Sequence, residues 1–360
     1  MKKLIALILA VCMLAVAASC CAQAATATNP VADKVLFGNV VTMDDNNTVA
    51  EAIAVKDGKI IFVGSVDDVR EYTGEDTEIY DYGSNVIYPG FIDAHTHMGL
   101  VATMLVDGAM LDAGLKLRQN AELVKAYIEA NPGKEVYKGL NFWVFPDDDD
   151  PPTHDVLDKY ASDEVPIIIA GGGGHAALLN QKAIEYFHVK DLISVYGTDG
   201  IKVDENGEPT GYLLETPRFN LFQQIPIGKE EIKEFFLFWQ ENSLKSGFTT
   251  ICDAGIVETE QLPMVSAFKE LAEEGKLKVK VRALCEITET NPDPIKEVDK
   301  IARLASECDN DYFRITGVKV FLDGVVEALT TWTLNPYTAE AGKGDHYYGY
   351  IRWNEDRKDE

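Results

Sequence analysis

The segment that most restricts the fold of this chain is PGFIDAHTH, which covers residues 89–97. We interpret the apolar stretch before it, residues 85–88, as a buried strand that bends at the Pro-Gly pair and resumes at Phe91. Side chains two apart on a strand point to the same side, so His95 and His97 should converge on one point. Two neutral imidazoles at one point predict a metal site. The alternative is two histidines that meet by chance in a turn.

Strand-like and helical segments alternate in the second half of the chain. Apolar strand-like runs at 247–255, 279–285 and 315–324 are separated by segments of helical spacing at 262–274 and 295–306. This alternation is typical of parallel sheets covered by helices. With the strand that leads into the histidine pair, the sequence supplies four such strands, whereas a closed (β/α)8 TIM barrel has eight. We predict an α/β fold of the TIM-barrel type with about four barrel strands.

Two further regions flank this alternation. Residues 33–88 contain short strand-like runs, with a strong hairpin signal at Asp57-Gly58, and we expect a small N-terminal β-sandwich domain there. The barrel region is expected over 89–360. It carries an insertion at 99–241, because a structureless connection of that length is implausible in a compact domain.

The first residues predict export. Residues 1–24 hold two lysines, a short apolar run and then small residues, which is the pattern of a signal peptide. Two processing routes remain open: cleavage after Ala22-Gln23-Ala24, or lipidation of Cys20 in a lipobox-like sequence. On either route we expect an exported protein, extracellular or anchored to the cell membrane, that meets the membrane only through its signal or lipid anchor.

Charge and cysteine content exclude several classes of protein. The formal net charge of the 360 residues is −26, which argues against nucleic acids and anionic membrane surfaces as partners. Outside the signal region there are three cysteines, Cys252, Cys285 and Cys308, with no C-x-x-C pattern. We therefore predict no disulfide framework. Oligomeric state is left open.

Several motifs carry a family resemblance. PGFIDAHTH resembles the first-strand signature of the amidohydrolase superfamily, metal-dependent hydrolases built on a (β/α)8 barrel. GGGGHAALLNQKAI at 171–184, GEPTGYLLET at 207–216 and GVKVFLDGVVEALTT at 317–331 resemble its YtcJ-like branch, amidohydrolase family 3. The resemblance implies one or two divalent metal ions, with zinc the expected metal, held by His95 and His97.

Lys319 is the third predicted metal ligand. It lies inside an apolar strand, where a charged amine is costly to bury and a neutral one is favoured. A neutral amine can react with carbon dioxide to give a carbamate that bridges two cations. The resemblance implies this carboxylated lysine, because many members carry it on the fourth barrel strand. A snorkelling lysine, or one paired with Asp323, is the alternative.

Three residues are expected to bind a small-molecule substrate. His175 follows four glycines on a loop that can approach a ligand closely, and Glu215 and Asp323 lie in the other matched motifs. Each has a structural alternative: a hydrogen-bonded histidine, a surface carboxylate and a helix-capping aspartate.

The activity implied is hydrolysis of an amide-type, non-peptide carbon–nitrogen bond by metal-activated water. In the family the general base is an aspartate of the eighth strand, and further metal histidines come from the fifth and sixth. We expect those strands beyond the C-terminus of this chain, which makes it an N-terminal portion and leaves its catalytic competence open. The alternative function is an exported, non-catalytic ligand-binding protein derived from an amidohydrolase.

Overall fold

The computed structural model describes residues 29–288, 291, 293–326, 329–344, 346–349 and 351–353. The chain divides between Pro89 and Gly90 into two compact units. The predicted signal segment, with Cys20, lies outside the described residues, so export and lipidation stay predictions. No helix in the described ranges is long and apolar enough to span a membrane.

The secondary-structure elements are numbered in chain order. The strands are β1 Lys34–Val41, β2 Val49–Lys56, β3 Lys59–Gly64, β4 Glu78–Ile87, β5 Phe91–Thr96, β6 Gly108–Met110, β7 Tyr137–Phe142, β8 Ile167–Gly171, β9 Ala176–Leu179, β10 Ile201–Val203, β11 Pro209–Leu214, β12 Phe248–Ile256, β13 Lys280–Ile287 and β14 Phe313–Val320. The α-helices are α1 Met98–Leu105, α2 Leu117–Ala130, α3 His154–Tyr160, α4 Gln181–Tyr186, α5 Val189–Gly200, α6 Thr216–Gln224, α7 Lys229–Lys245, α8 Met264–Glu273 and α9 Pro294–Glu307.

The N-terminal unit contains a four-stranded sheet in the order β3-β2-β1-β4. The hairpin between β2 and β3 turns at Asp57 and Gly58, whose φ angles are +49° and +71°. Positive φ at both central residues is what a type I′ turn needs, so the hairpin prediction is confirmed. The described residues of this unit form one sheet, and the β-sandwich stays a prediction.

One strand of this unit differs from the prediction. Residues 85–88 were predicted to be a buried strand, but they belong mostly to β4, which is exposed along nearly its whole length. β4 is an edge strand that pairs only with β1 among the described residues, in parallel register. Apolar residues in a strand therefore do not by themselves indicate burial, because side chains project from the faces of the sheet and are buried only where another layer covers that face. The chain then enters a different sheet at β5.

The second unit contains a parallel sheet in the order β14-β13-β12-β5. These are the four strands predicted from the sequence, with α8 between β12 and β13 and α9 between β13 and β14. Alternate residues of β13 enter one core beneath the helices: Val281, Ala283, Cys285 and Ile287. The fold is therefore α/β with a parallel sheet, and closure into an eight-stranded barrel stays a prediction.

The segment after α1 forms a second layered region. Its six-stranded mixed sheet has the order β10-β11-β9-β8-β7-β6. β8 is buried throughout, with Ile167 and Ile169 in one core and Ile168 and Ala170 in another. A strand buried on both faces is a continuous apolar run, which is how this strand could be found in the sequence. The region between β5 and β12 has its own sheet and helices, as predicted.

Candidate functional site

The two histidines of the opening motif converge as predicted. His95 lies near the end of β5, and His97 directly precedes α1. Their Nε2 atoms are 3.2 Å apart, and their rings meet edge to face at 83°. Two nitrogen ligands of one tetrahedral zinc ion, each about 2.05 Å from it, lie about 3.3 Å apart. The separation therefore fits two ligands of a single cation.

The electrostatic surroundings keep His97 neutral. Burial first of all, together with the nearby His95, Lys319 and His175, lowers the pKa of His97 to about 4. An imidazole with this pKa is unprotonated at neutral pH. Only the unprotonated ring offers a lone pair to a metal.

Lys319 lies near this pair at the end of β14. Its Nζ is 4.5 Å from the centre of the Phe321 ring, and the same ring is 6.2 Å from the ring of His97. The side chain is half-buried. Within the described residues Lys319 forms no ion pair, and Asp323 accepts instead a hydrogen bond from the backbone N–H of Trp332 at 2.9 Å. The alternative in which Lys319 pairs with Asp323 is therefore wrong.

A cavity of about 210 Å³ adjoins the histidine pair. Its wall includes His97, His175, Arg218, Phe219 and Phe321, with apolar side chains from α1. The structure thus brings one predicted metal ligand and one predicted substrate residue to the same space. Asp323 is not part of the wall that the described residues form.

The glycine run before His175 contributes backbone to this wall. A Cβ at Gly172 would lie 2.3 Å from Nε1 of Trp143, and Gly174 has a φ of +74°. Both positions therefore require glycine, the first for space and the second for conformation. Gly172, Gly173 and Gly174 line the cavity together with His175, and close approach of this loop to a ligand stays a prediction.

His175 is oriented by a buried carboxylate. Its Nδ1 lies 2.9 Å from Oε2 of Glu215, whose other oxygen accepts a hydrogen bond from the hydroxyl of Thr330 at 2.6 Å. In the tautomer of His175 that donates from Nδ1 to this carboxyl oxygen, Nε2 is left for a ligand. Glu215 is 1% exposed and lies behind His175, not on the cavity wall. Glu215 is not part of the cavity wall that the described residues form, and substrate binding by Glu215 stays a prediction.

The backbone at Glu215 is unusual. Its φ is +57° and its ψ is −128°, a conformation that side-chain-bearing residues rarely adopt. It is held by the hydrogen bond from its own N–H to the carbonyl of His175, at 2.9 Å. The chain thus ties Glu215 to His175 through both backbone and side chain.

Two buried charged residues of this region were not assigned a role from the sequence. Arg218 lies on α6, one turn after Glu215, and lines the cavity. Asp253 lies inside β12, fully buried, and accepts a hydrogen bond from the N–H of Gly99 in the first turn of α1, at 2.8 Å. Burial raises the pKa of Asp253 to about 7. Gly99 is 154 residues from Asp253 in the sequence, so no local pattern could have identified this contact.

Two other features of the unit lie outside the predicted site. A larger groove of about 520 Å³ lies beside β14. The residues that line it, which include Ile287, Val320 and Trp353, are apolar. His154, Asp155 and Asp158 bring three ligand atoms within 4.8 Å of one another, outside the predicted site. His154 Nδ1 lies 2.9 Å from Asp158, one helical turn away, which is an ordinary pairing on a helix surface.

The chain is similar in sequence to one protein family and to several known proteins. The model of the Amidohydrolase family matches residues 78–354. The chain is 28% identical over 315 residues to the exoenzymes regulatory protein AepA of Pectobacterium carotovorum subsp. carotovorum, covering 83% of this chain and 64% of that protein. It is 25% identical over 306 residues to YtcJ of Bacillus subtilis (strain 168), covering 83% and 55%.

A further relative and a solved structure agree with these matches. The chain is 29% identical over 184 residues to the N-substituted formamide deformylase of Arthrobacter pascens, covering 50% of this chain and 34% of that protein. An uncharacterized metal-dependent hydrolase from Pyrococcus furiosus superposes with a TM-score of 0.61 at 21% identity, covering 90% of this chain and 62% of that one. The chain thus spans between 34% and 64% of the length of these three curated relatives.

Proposed function

This chain belongs to the amidohydrolase family, and we propose that it is a metal-dependent hydrolase that cleaves an amide-type carbon–nitrogen bond of a small molecule. The observation that carries the proposal is the 3.2 Å convergence of the Nε2 atoms of His95 and His97 beside the cavity. The deformylase relative is named for N-substituted formamides, which contain a bond of this type.

The residues present fit a zinc ion. His95 and His97 offer ring nitrogens at the spacing of two tetrahedral ligands, and Lys319 would join them as a carbamate. A divalent ion bound there would lower the pKa of a coordinated water toward neutrality and polarise a carbonyl. The metal and its chemistry are part of the proposal.

The chain's own side chains define the rest of the site. Phe219 and Phe321 stack with ring centres 5.6 Å apart and form an apolar wall that keeps bulk water from the buried side of the cavity. His175 presents Nε2, which can accept a hydrogen bond or a proton from the substrate. Glu215 acts as a positioning residue, because it fixes the proton of His175 on Nδ1.

The test is hydrolysis by the purified chain after incubation with Zn²⁺. A panel of N-formyl and N-acyl amines is incubated with the protein, and release of free amine is measured. We expect amine release that His97→Asn abolishes and His154→Asn leaves intact, because His154 lies outside the site. Saturable binding of the same amides with no amine release would favour the ligand-binding alternative and overturn the proposed hydrolysis.

A further inference from the structure

Arg218 is a fully buried cation in the wall of the cavity. It is 1% exposed and is among the largest wholly buried side chains. Its guanidinium carbon lies 4.1 Å from the ring centre of Phe219 and 5.4 Å from that of Phe222. These rings hold the planar group in place from its own helix, so its orientation does not depend on a ligand.

No carboxylate of the described residues forms an ion pair with this guanidinium. Nη2 lies against the sulfur of Met104, a weak acceptor, and Nε is buried without a hydrogen-bond partner in the described part of the chain. Burial lowers the pKa of Arg218 to about 9, against the opposing effects of Glu215 and Glu286. The group therefore remains charged at neutral pH, and a buried charge without a close counterion is costly.

This cation shares the cavity with the side chains of the proposed reaction. Arg218, His97 and His175 all line the same space of about 210 Å³. The ring of Phe219, on which the guanidinium stacks, also meets the ring of His175 edge to face at 5.8 Å. A small molecule in this cavity would therefore lie beside Arg218, His97 and His175.

We propose that Arg218 binds a carboxylate of the substrate, which makes the substrates N-acylated amino acids or similar amides with an acid group near the scissile bond. The planar fork of guanidinium donors matches a carboxylate in two parallel hydrogen bonds. A bound carboxylate would also supply a counterion that the described residues do not provide. The net charge of −26 does not attract anions to the protein, so recognition must come from a local cation. The inference rests on the proposed function, whose substrate class it specifies.

The experiment compares two probes that differ only in charge. Isothermal titration calorimetry measures binding of N-acetylglycine and of its uncharged amide, N-acetylglycinamide, to the full chain as purified. We expect the carboxylate to bind on the order of 10-fold to 100-fold more tightly, as for other charge-assisted hydrogen bonds. The preference should disappear in Arg218→Met, which keeps the volume of the side chain. The preference should persist in the control variant Arg118→Met. Arg118 pairs with Asp150 and does not line the cavity.

Each outcome supports or overturns the inference. Equal affinity for the two probes in the wild-type chain overturns it, and so does a preference that survives in Arg218→Met, because a carboxylate then binds elsewhere. If Arg218→Met does not fold, Arg218→Lys keeps the charge without the fork, and an undiminished preference in that variant counts against the proposal. Binding needs no turnover. An inactive chain that prefers the carboxylate refutes the proposed hydrolysis alone, and an active chain without the preference refutes this inference alone.

Discussion

Asp253 gives the sharpest prediction for stability. Its side chain is fully buried, one carboxyl oxygen accepts the N–H of Gly99, and the other has no hydrogen-bond partner in the described residues. Burial raises its pKa from 3.8 to about 7. Asp253→Asn keeps the shape and the acceptor for Gly99 but cannot ionise.

The sign and size of the effect follow from this shift. Because the folded pKa lies above the unfolded value, the folded state binds a proton that the unfolded state has released between about pH 4 and pH 7. The wild-type chain therefore loses stability as the pH rises through this window, by about 4 kcal/mol for a shift of about three units. Asp253→Asn lacks this loss, so its stability relative to the wild type rises by up to the same amount.

The assay is urea unfolding at pH 4.5, 6 and 8, followed by circular dichroism. The free energies of unfolding of wild type and Asp253→Asn should be similar at the lowest pH and diverge as the pH rises, with the variant the more stable. Asp155→Asn, which removes a carboxylate that is 79% exposed, is the control and should follow the wild type. If the free energies of unfolding of the wild type and of Asp253→Asn differ by the same amount at all three pH values, the raised pKa of the buried Asp253 carboxyl is refuted.

Three further predictions concern the site and the core. Glu215→Gln removes the charge behind His175 and should lower kcat by about 10-fold to 100-fold with zinc content unchanged; an unchanged kcat would contradict the positioning role. Lys319→Met should abolish the carbamate signal that ¹³C NMR detects in the wild-type chain under ¹³CO₂, and a wild-type chain without that signal would exclude carboxylation. Phe268→Ala should lower the free energy of unfolding by about 3–5 kcal/mol, because Phe268 is fully buried and stacks 3.8 Å from Phe236; Phe238→Ala, at a 61% exposed position, is its control in urea titration.

Much of the parallel sheet could be predicted because its signals are local. Alternating apolar residues at period two identify β13 and β14, and helical spacing identifies α8 and α9. The histidine pair was found from the same kind of local spacing, although only His95 lies on β5 and His97 directly follows the strand. For β4 the same local reasoning failed. Apolar residues in a strand do not show how many neighbours the strand has, so burial was wrongly predicted there.

The rest of the site depends on contacts that no local pattern contains. Glu215 and His175 are 40 residues apart, and their hydrogen bond sets which residue lines the cavity. Arg218 lies in an ordinary helical sequence. Its place in the cavity wall, and the lack of a hydrogen-bond partner for its Nε among the described residues, are visible only in the fold. Asp253 is 154 residues from its partner Gly99. Residue types at these positions could suggest roles, but only the fold shows that Glu215 contacts His175.

The central claim, that His95 and His97 hold a divalent metal, is tested most directly by metal content. Zinc bound to wild type, His95→Asn, His97→Asn and His154→Asn is measured by mass spectrometry of the metal after gel filtration. We predict at least about one zinc per wild-type chain, retained in His154→Asn and lost in both His95→Asn and His97→Asn with the folded content of each variant unchanged. Zinc retained at the wild-type level in His95→Asn and His97→Asn would contradict the account.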